Sequence, residues 1–319
     1  MSFDFEAAVA APFRMQPGLR RLDAGARQFT PLVPGSRHQR EKLAVLSAFP
    51  ALALQSVDGF DARPALHALA AHAAASHPEA FAWDGRRARA LALGTAVDTG
   101  DGDAVVHEAA GRFGLGDEIA RCLRPLPPAW RLAGLLSLAF AEDFAVLDAR
   151  DGTIPWLAVA LPSHWDPASK VGRPFAEVHA PVADAELLLR AADHLVRLVT
   201  GPERWERFVW TVTDHPRLHA HPAHVDPARW PADAAARWPA GAWWRTERQS
   251  FLPLPALGQA VFAIEVQVAP LADAIDTPAR AAALHDAVAS MSPAVLAYRR
   301  LDAVRAPLLA WLSARAGRR

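Results

Sequence analysis

Two alternating runs near the carboxyl end constrain this chain more than any other feature. "WWRTERQSFLPLP" occupies 243–255 and "QAVFAIEVQVAPL" occupies 259–271. In the second run, Phe262, Ile264, Val266 and Val268 share one face, while Val261, Ala263, Glu265 and Gln267 share the other. A period of two belongs to a strand, whose successive side chains point to opposite sides. The two runs together predict a β-hairpin. In the first run, Arg245, Glu247 and Gln249 fall on one face and Arg248 on the other. Charged side chains inside an apolar hairpin are costly unless they are paired. The run is therefore either an edge strand with a solvated face or the polar wall of a pocket.

A second hairpin signal stands at "EDFAVLDARDGTIPWLAVALPS", from residue 142, where two short apolar runs flank Arg150-Asp151-Gly152. Helical segments surround these hairpins. "RHQREKLAVLSAFPALAL" (37–54) reads as a helix ended near Pro50, and "ARPALHALAAHAAASH" (62–77) as another with proline in its first turn. Two or three helical pieces follow over 103–140. The segment 183–201 predicts a helix with Asp184 as N-cap, a stripe of Leu187, Leu188, Ala191, Leu195 and Leu198, and Gly201 at its end. The chain is helical again from Pro278 to about Ala316, with breaks near Pro293 and Pro307. Residues 1–36 read as an irregular arm. Antiparallel hairpins with segregated helices predict an α+β fold. One domain over 1–319 is expected, helix-rich over 1–140 and sheet-centred over 141–319 with C-terminal helices.

Several function classes are excluded by composition. Lys and Arg number 34, as do Asp and Glu, so the chain lacks the basic field that a general nucleic-acid binder needs. One cysteine, Cys122, cannot build a disulfide framework or an iron–sulfur cluster within one chain. "GRFGLGDE" (111–118) lacks the glycine register of a dinucleotide loop. No apolar run approaches the roughly 18 residues of a membrane span. The acidic start, "MSFDFEAAVA", is not a signal peptide, and a cytoplasmic location is the expectation.

The segment "LPSHWDPASKVGRPFAEVHAPV" (161–182) collects Ser163, Trp165, Lys170, Arg173 and His179 between a strand and a helix. Pro162, Pro167, Gly172 and Pro174 stiffen it. It is either a polar surface loop with an inward tryptophan or a ligand loop. In the second case Lys170 and Arg173 would grip carboxylates or phosphates, and His179 would be a metal ligand or an acid–base. "DHPRLHAHPAHVD" (214–226) carries His215, His219, His221 and His224 at irregular spacing. It reads as a solvated loop rather than a metal site. A buried helical cysteine such as Cys122 is expected to be inert.

Pro162, Ser163, Trp165, Pro167, Lys170, Gly172, Arg173, Val178, His179, Pro181 and Val182 together resemble the loop motif of the DUF3445 family. These proteins are related to the haem-binding alpha subunit of haem-dependent oxidative N-demethylase. Arg245, Glu247, Arg248, Gln249, Leu252 and Pro255, followed by Gly258, Phe262 and Ile264, resemble a second family stretch. "PGLRRLD" (17–23) and "AEDFAVL" (141–147) are similar to two weaker ones. The likeness spans about residues 12 to 300. The family's glutamine before Glu142 is missing, Val209 stands where asparagine is frequent, and Tyr298 is the only tyrosine, with none at 25–30.

The resemblance implies a PAS-like antiparallel sheet core, with helical N- and C-terminal additions, that carries haem b. It implies an oxygen-activating iron that oxidises a small secondary amine to formaldehyde and a primary amine. Electrons would come from reductase subunits with flavin and iron–sulfur centres. His179 would be the proximal iron ligand. Lys170 and Arg173 would meet the propionates, with Trp165 on the slot wall and Ser163 in the cofactor loop. Glu247 and Arg248 would belong to the distal pocket, one holding a cationic amine or relaying a proton, the other stabilising dioxygen. A regular strand lets only one of them face the haem, and Glu247 is the expected one. A haem sensor without turnover is the alternative.

Overall fold

The 243–271 hairpin forms as its alternation predicts and lies at the centre of the larger of two sheets. A computed structural model describes residues 3–318 apart from 24, 227–229 and 232. Part of the proline- and histidine-rich stretch at 213–240 therefore lies outside the described residues. The larger sheet uses β1 (Arg20–Arg21), β2 (Leu54–Ser56), β7 (Asp143–Asp148), β8 (Trp156–Ala158), β9 (Trp205–Thr213), β10 (Trp243–Leu254) and β11 (Gln259–Pro270). Its order is β1-β9-β10-β11-β7-β8-β2, and each pairing is antiparallel. The smaller sheet joins β3 (Phe81–Trp83), β4 (Arg87–Ala90), β5 (Thr95–Asp98) and β6 (Ala104–His107) in sequence order.

Register settles which side chains share a face. Glu247 sits opposite Val266 on β11 and Val209 on β9, and Gln249 opposite Arg207. Arg245, Glu247, Gln249 and Phe251 therefore share one side with Arg207, Val209 and Thr211. At one end of that side Phe251 stacks on Phe262, with ring centroids 4.8 Å apart, and both pack with Leu147 and with Val196 and Val199 of the helix Ala192–Thr200. Trp210 and Trp244 stack at 5.0 Å on the other side, under the C-terminal helices, with Leu284, Val288, Leu308 and Leu312 fully buried beside them. Farther along, Phe144, Val146, Val261 and Ala263 pack on the helices Arg37–Ala48, Arg63–Ser76 and Pro128–Ala139 through Leu46, Leu69 and Leu136. Each such buried leucine contributes roughly 1.5–3 kcal/mol.

The α+β class, both hairpins and the helices near 37–54 and 62–77 form as expected. The smaller sheet was not expected: the helix-rich reading of the first 140 residues misses it. Segment 183–201 forms two helices, Glu186–Arg190 and Ala192–Thr200, rather than one. Asp184 does not cap it. The first helix begins after Ala185, and the Asp184 carboxylate instead accepts from the Ser292 hydroxyl at 2.7 Å. Leu187 of the predicted stripe is 52% exposed, because the break rotates it away from the sheet. No helix among the described residues is long and apolar enough to cross a membrane.

Candidate functional site

The 161–175 loop is held from beneath by a buried cation. Arg245 donates to Ser163 Oγ at 2.8 Å, to the carbonyls of Leu218 at 2.8 Å and Pro162 at 3.1 Å, and to that of Arg217 at 2.9 Å. Burial pushes its pKa down to about 10, still far above neutrality. Ser163 therefore serves as an acceptor that pins the loop to the sheet. The parallel bridge between Ser163 and Ala220 adds a second tie. Asp166 closes the next turn by accepting from the Ala168 amide at 2.9 Å. Trp165 is half-buried and packs against the cluster of Ala145, Leu157 and Val159, on which Val171 and Phe262 also pack. Gly172 has φ of +72°, and a Cβ there would stand 2.9 Å from Val57 Cγ1, so the motif requires glycine at that position.

Pro174 leads into the short helix Phe175–His179. His179 Nδ1 lies 2.8 Å from the Phe175 carbonyl, and the two rings are 4.0 Å apart. This contact makes Nδ1 the protonated nitrogen and leaves the Nε2 lone pair open. Burial pushes the imidazole down to about 4, with Arg207 and Lys170 acting in the same direction. His179 is thus neutral at physiological pH. Lys170 Nζ donates to the Val178 carbonyl at 3.3 Å and so holds the end of this helix. Arg173 is exposed and makes only a loose pair with Glu177, at 3.6 Å.

The sheet supplies the other wall. Glu247 is 9% exposed, and its Oε2 accepts from Gln249 Nε2 at 2.5 Å. Arg207 is half-buried beside them, close enough to Glu247, Tyr298 and His179 to act on each electrostatically. Tyr298 ends the helix Pro293–Tyr298 close enough to act on Arg207 and Glu247, and the next residue, Arg299, donates to the Trp210 carbonyl of β9. Arg248 points to the opposite side. It pairs with Glu206 at 2.8 Å and donates to the carbonyls of Gln28 and Arg27. Glu247 therefore shares a side of the sheet with Arg207 and Arg248 does not. The two consecutive residues thus lie on opposite sides of the strand, as its alternation requires.

The histidine-rich loop departs from expectation. His215, His219 and His221 are 8%, 9% and 3% exposed rather than solvated. His219 Nδ1 contacts the Ala160 carbonyl at 2.7 Å, its Nε2 meets His224 Nδ1 at 2.9 Å, and His221 Nε2 meets Asp166 at 3.2 Å. These rings brace the loop through hydrogen bonds. Among the described residues no group of three or more histidine, cysteine, aspartate or glutamate side chains is arranged to hold a metal ion. Cys122 is buried, and burial raises its thiol pKa. Two surface clefts lie elsewhere. One is lined by Arg21, Asp23, Arg27 and Arg204, the other by Arg20, Glu206, Phe208 and Arg248, and neither includes His179, Glu247 or Arg207.

Sequence reasoning missed Arg207 and the place of Tyr298. The period of two through "WERFVWTVT" puts Arg207 on the Val209 face, and the register with β10 would then have found it beside Glu247.

No curated protein matches the chain. A family does match, over residues 65–309, which takes in the braced loop, the His179 helix and the whole β9-β10-β11 wall. By that match the chain belongs to the family described as haem-dependent oxidative N-demethylase, alpha subunit-like.

Proposed function

We propose that this chain binds haem b on the Glu247 side of its large sheet and serves as the oxygen-activating component of an N-demethylase for small secondary amines. We read the sheet as PAS-like. The observation that carries the proposal is His179: a neutral imidazole with Nδ1 engaged by a backbone carbonyl and Nε2 without a partner among the described residues. Ligating histidines have this arrangement, since a hydrogen bond on one ring nitrogen orients the other.

The residues present fit the cofactor. A haem needs an axial donor, cations for its propionates and an apolar slot. His179 is the donor. Lys170 and Arg207 are cations that act on His179, and Trp165 and Phe262 offer apolar surface. When bound, haem supplies the one-electron and oxygen chemistry that amino-acid side chains lack. The chain's own part is binding and orientation. Glu247 attracts a cationic secondary amine, and Gln249 fixes that carboxylate by donating to Oε2. Glu247 is also the group placed to hold or take a proton from the amine. Electrons come from partner subunits carrying flavin and an iron–sulfur centre, which this chain, with one cysteine, does not itself provide.

The test is an absorbance titration of the purified chain with haem. A Soret band is expected, and His179→Ala should abolish or shift it. A chain that stays colourless with excess haem sinks the reading. A coloured chain that consumes no oxygen with secondary amines and a reductase is a haem protein without turnover.

A further inference from the structure

We propose that Arg207 is the carboxylate-binding residue of this site. The inference rests on the haem reading and goes beyond it by assigning Arg207 the chemical group that it binds. Its neighbours in the adjacent strand set the contrast. Arg245 donates to four acceptors, and Arg248 has an ion pair and two carbonyls. Arg207 is half-buried at the third position of β9, yet its guanidinium makes no hydrogen bond or ion pair with any described residue. A guanidinium has five donors, and here none of them is engaged by a described residue, which leaves them to water or to a ligand. Glu247 does not satisfy it: the two side chains form no ion pair, and Glu247 Oε2 accepts from Gln249, the residue directly across from Arg207. The result is an open cation next to an already oriented anion.

A planar, forked cation matches a carboxylate best. The nearby Glu247 carboxylate disfavours a more highly charged anion such as phosphate. Two ligands could supply the carboxylate. One is a haem propionate. The other is the acid group of an N-methylamino acid, whose secondary ammonium would sit at Glu247 while its carboxylate meets Arg207.

Two sets of titrations test this with wild type, Arg207→Gln and Arg207→Lys. In the first, haem and haem dimethyl ester are compared by their Soret bands. If a propionate is the partner, wild type binds haem about tenfold or more tightly than the ester, and Arg207→Gln removes that preference. If the substrate is the source, the preference is unchanged. N-methylglycine then shifts the Soret band of wild type at a concentration about tenfold lower than in Arg207→Gln, while dimethylammonium acts equally on both. Arg207→Lys, with charge but no fork, should fall between. The second set needs no haem. Sodium propionate, against chloride at equal ionic strength, should raise the melting temperature of wild type and not of Arg207→Gln. Equal responses of the two chains in both sets overturn the assignment. A missing Soret band beside a wild-type-only response to propionate overturns the haem reading instead and leaves the carboxylate site standing.

Discussion

Lys170 holds the far end of the helix that carries His179, its ammonium donating to the Val178 carbonyl at 3.3 Å. Five residues are too few for a helix to persist alone in water, since nucleation is unfavourable and little propagation offsets it. The direction of the His179 ring therefore depends on contacts outside the helix, and Lys170 is the polar one at its carboxyl end. Lys170→Met keeps the aliphatic stem and removes the donor. Amides over 178–182 should exchange faster, and haem affinity should fall about tenfold, the usual loss when a partner that orients a ligand is removed. Arg173→Ala is the control. Its pair with Glu177 is loose, and both side chains are mostly exposed, at 59% and 60%, so the variant should behave as wild type. Hydrogen exchange and haem titration of the two variants decide the matter. An equal loss in both would show that Lys170 does not position the helix.

Arg245 anchors the loop that precedes this helix. Its guanidinium is 1% exposed and reaches four acceptors on two segments. A lysine has the charge but cannot span them. Arg245→Lys should cost about 2–4 kcal/mol, because it leaves several buried acceptors unpaired. Denaturant unfolding measures this directly. A change under about 0.5 kcal/mol, typical of surface substitutions, would contradict the anchoring role.

Stability at neutral pH should depend on Glu142. This residue is 1% exposed, and burial together with nearby Glu265 pushes its pKa up to about 8. Its Oε2 accepts from the Thr30 amide at 3.1 Å, Glu265 accepts from the Thr30 hydroxyl at 3.3 Å, and Lys42 is bound to Asp143 at 3.1 Å. Between its ordinary value of 4.5 and about 8 the unfolded chain ionises this group while the folded chain keeps the proton. The folded state then binds more protons, so stability falls as pH rises through that window. Buried histidines act in the opposite sense. His72 and His179 are held down to about 4 and His164 to about 3, so stability falls as pH drops from 6.5 toward those values. Glu142→Gln resembles the protonated acid in shape. It should leave the melting temperature below about pH 4.5 unchanged and remove the Glu142 part of the fall between pH 4.5 and about 8, with a gain of a few kcal/mol near pH 8. An unchanged fall over that window would mean that Glu142 does not hold its proton.

What the sequence revealed and what it hid have physical causes. Strands β10 and β11 were legible because Phe262, Ile264, Val266 and Val268 repeat at the spacing of a pleat over twelve residues each. Strands β3 to β6 were not. They are three or four residues long, and "RARA" offers alanine and arginine where β-branched residues would signal a strand. His179 was found by its motif, but the roles of Lys170 and Ser163 needed coordinates, because Lys170 acts on a backbone carbonyl that residue types do not single out and Ser163 on a guanidinium far away in sequence. The histidine-rich loop misled for a similar reason. Polar composition suggests water, but His219, His221 and His224 satisfy one another, Asp166 and the Ala160 carbonyl instead. Arg207 was hidden because its distinguishing property is the absence of a partner.

Glu247 and Arg248 allow a sharp test of face against face, since they are consecutive in one strand and look to opposite sides. Arg248 is bound to Glu206 with side-chain exposures of 12% and 6%, and Arg20 shares that carboxylate. Breaking one member of a buried pair leaves a stranded charge and costs about 3–5 kcal/mol when burial is complete. Here Arg20 still partners Glu206, so Arg248→Gln should cost about 2–3 kcal/mol, a value below that range. The haem spectrum and the amine dependence should be unaffected. Glu247→Gln should do the reverse. Gln249 can still donate to the new amide oxygen, so unfolding should move by less than about 1 kcal/mol. Removing the charge that receives a cationic amine and the site that holds its proton should lower turnover about a hundredfold or more, the usual weight of a positioned acid–base group. Unfolding curves, Soret spectra and oxygen consumption on the two variants give a two-by-two pattern. If Arg248→Gln loses turnover while Glu247→Gln loses only stability, the functional side of the sheet is the one now assigned to structure.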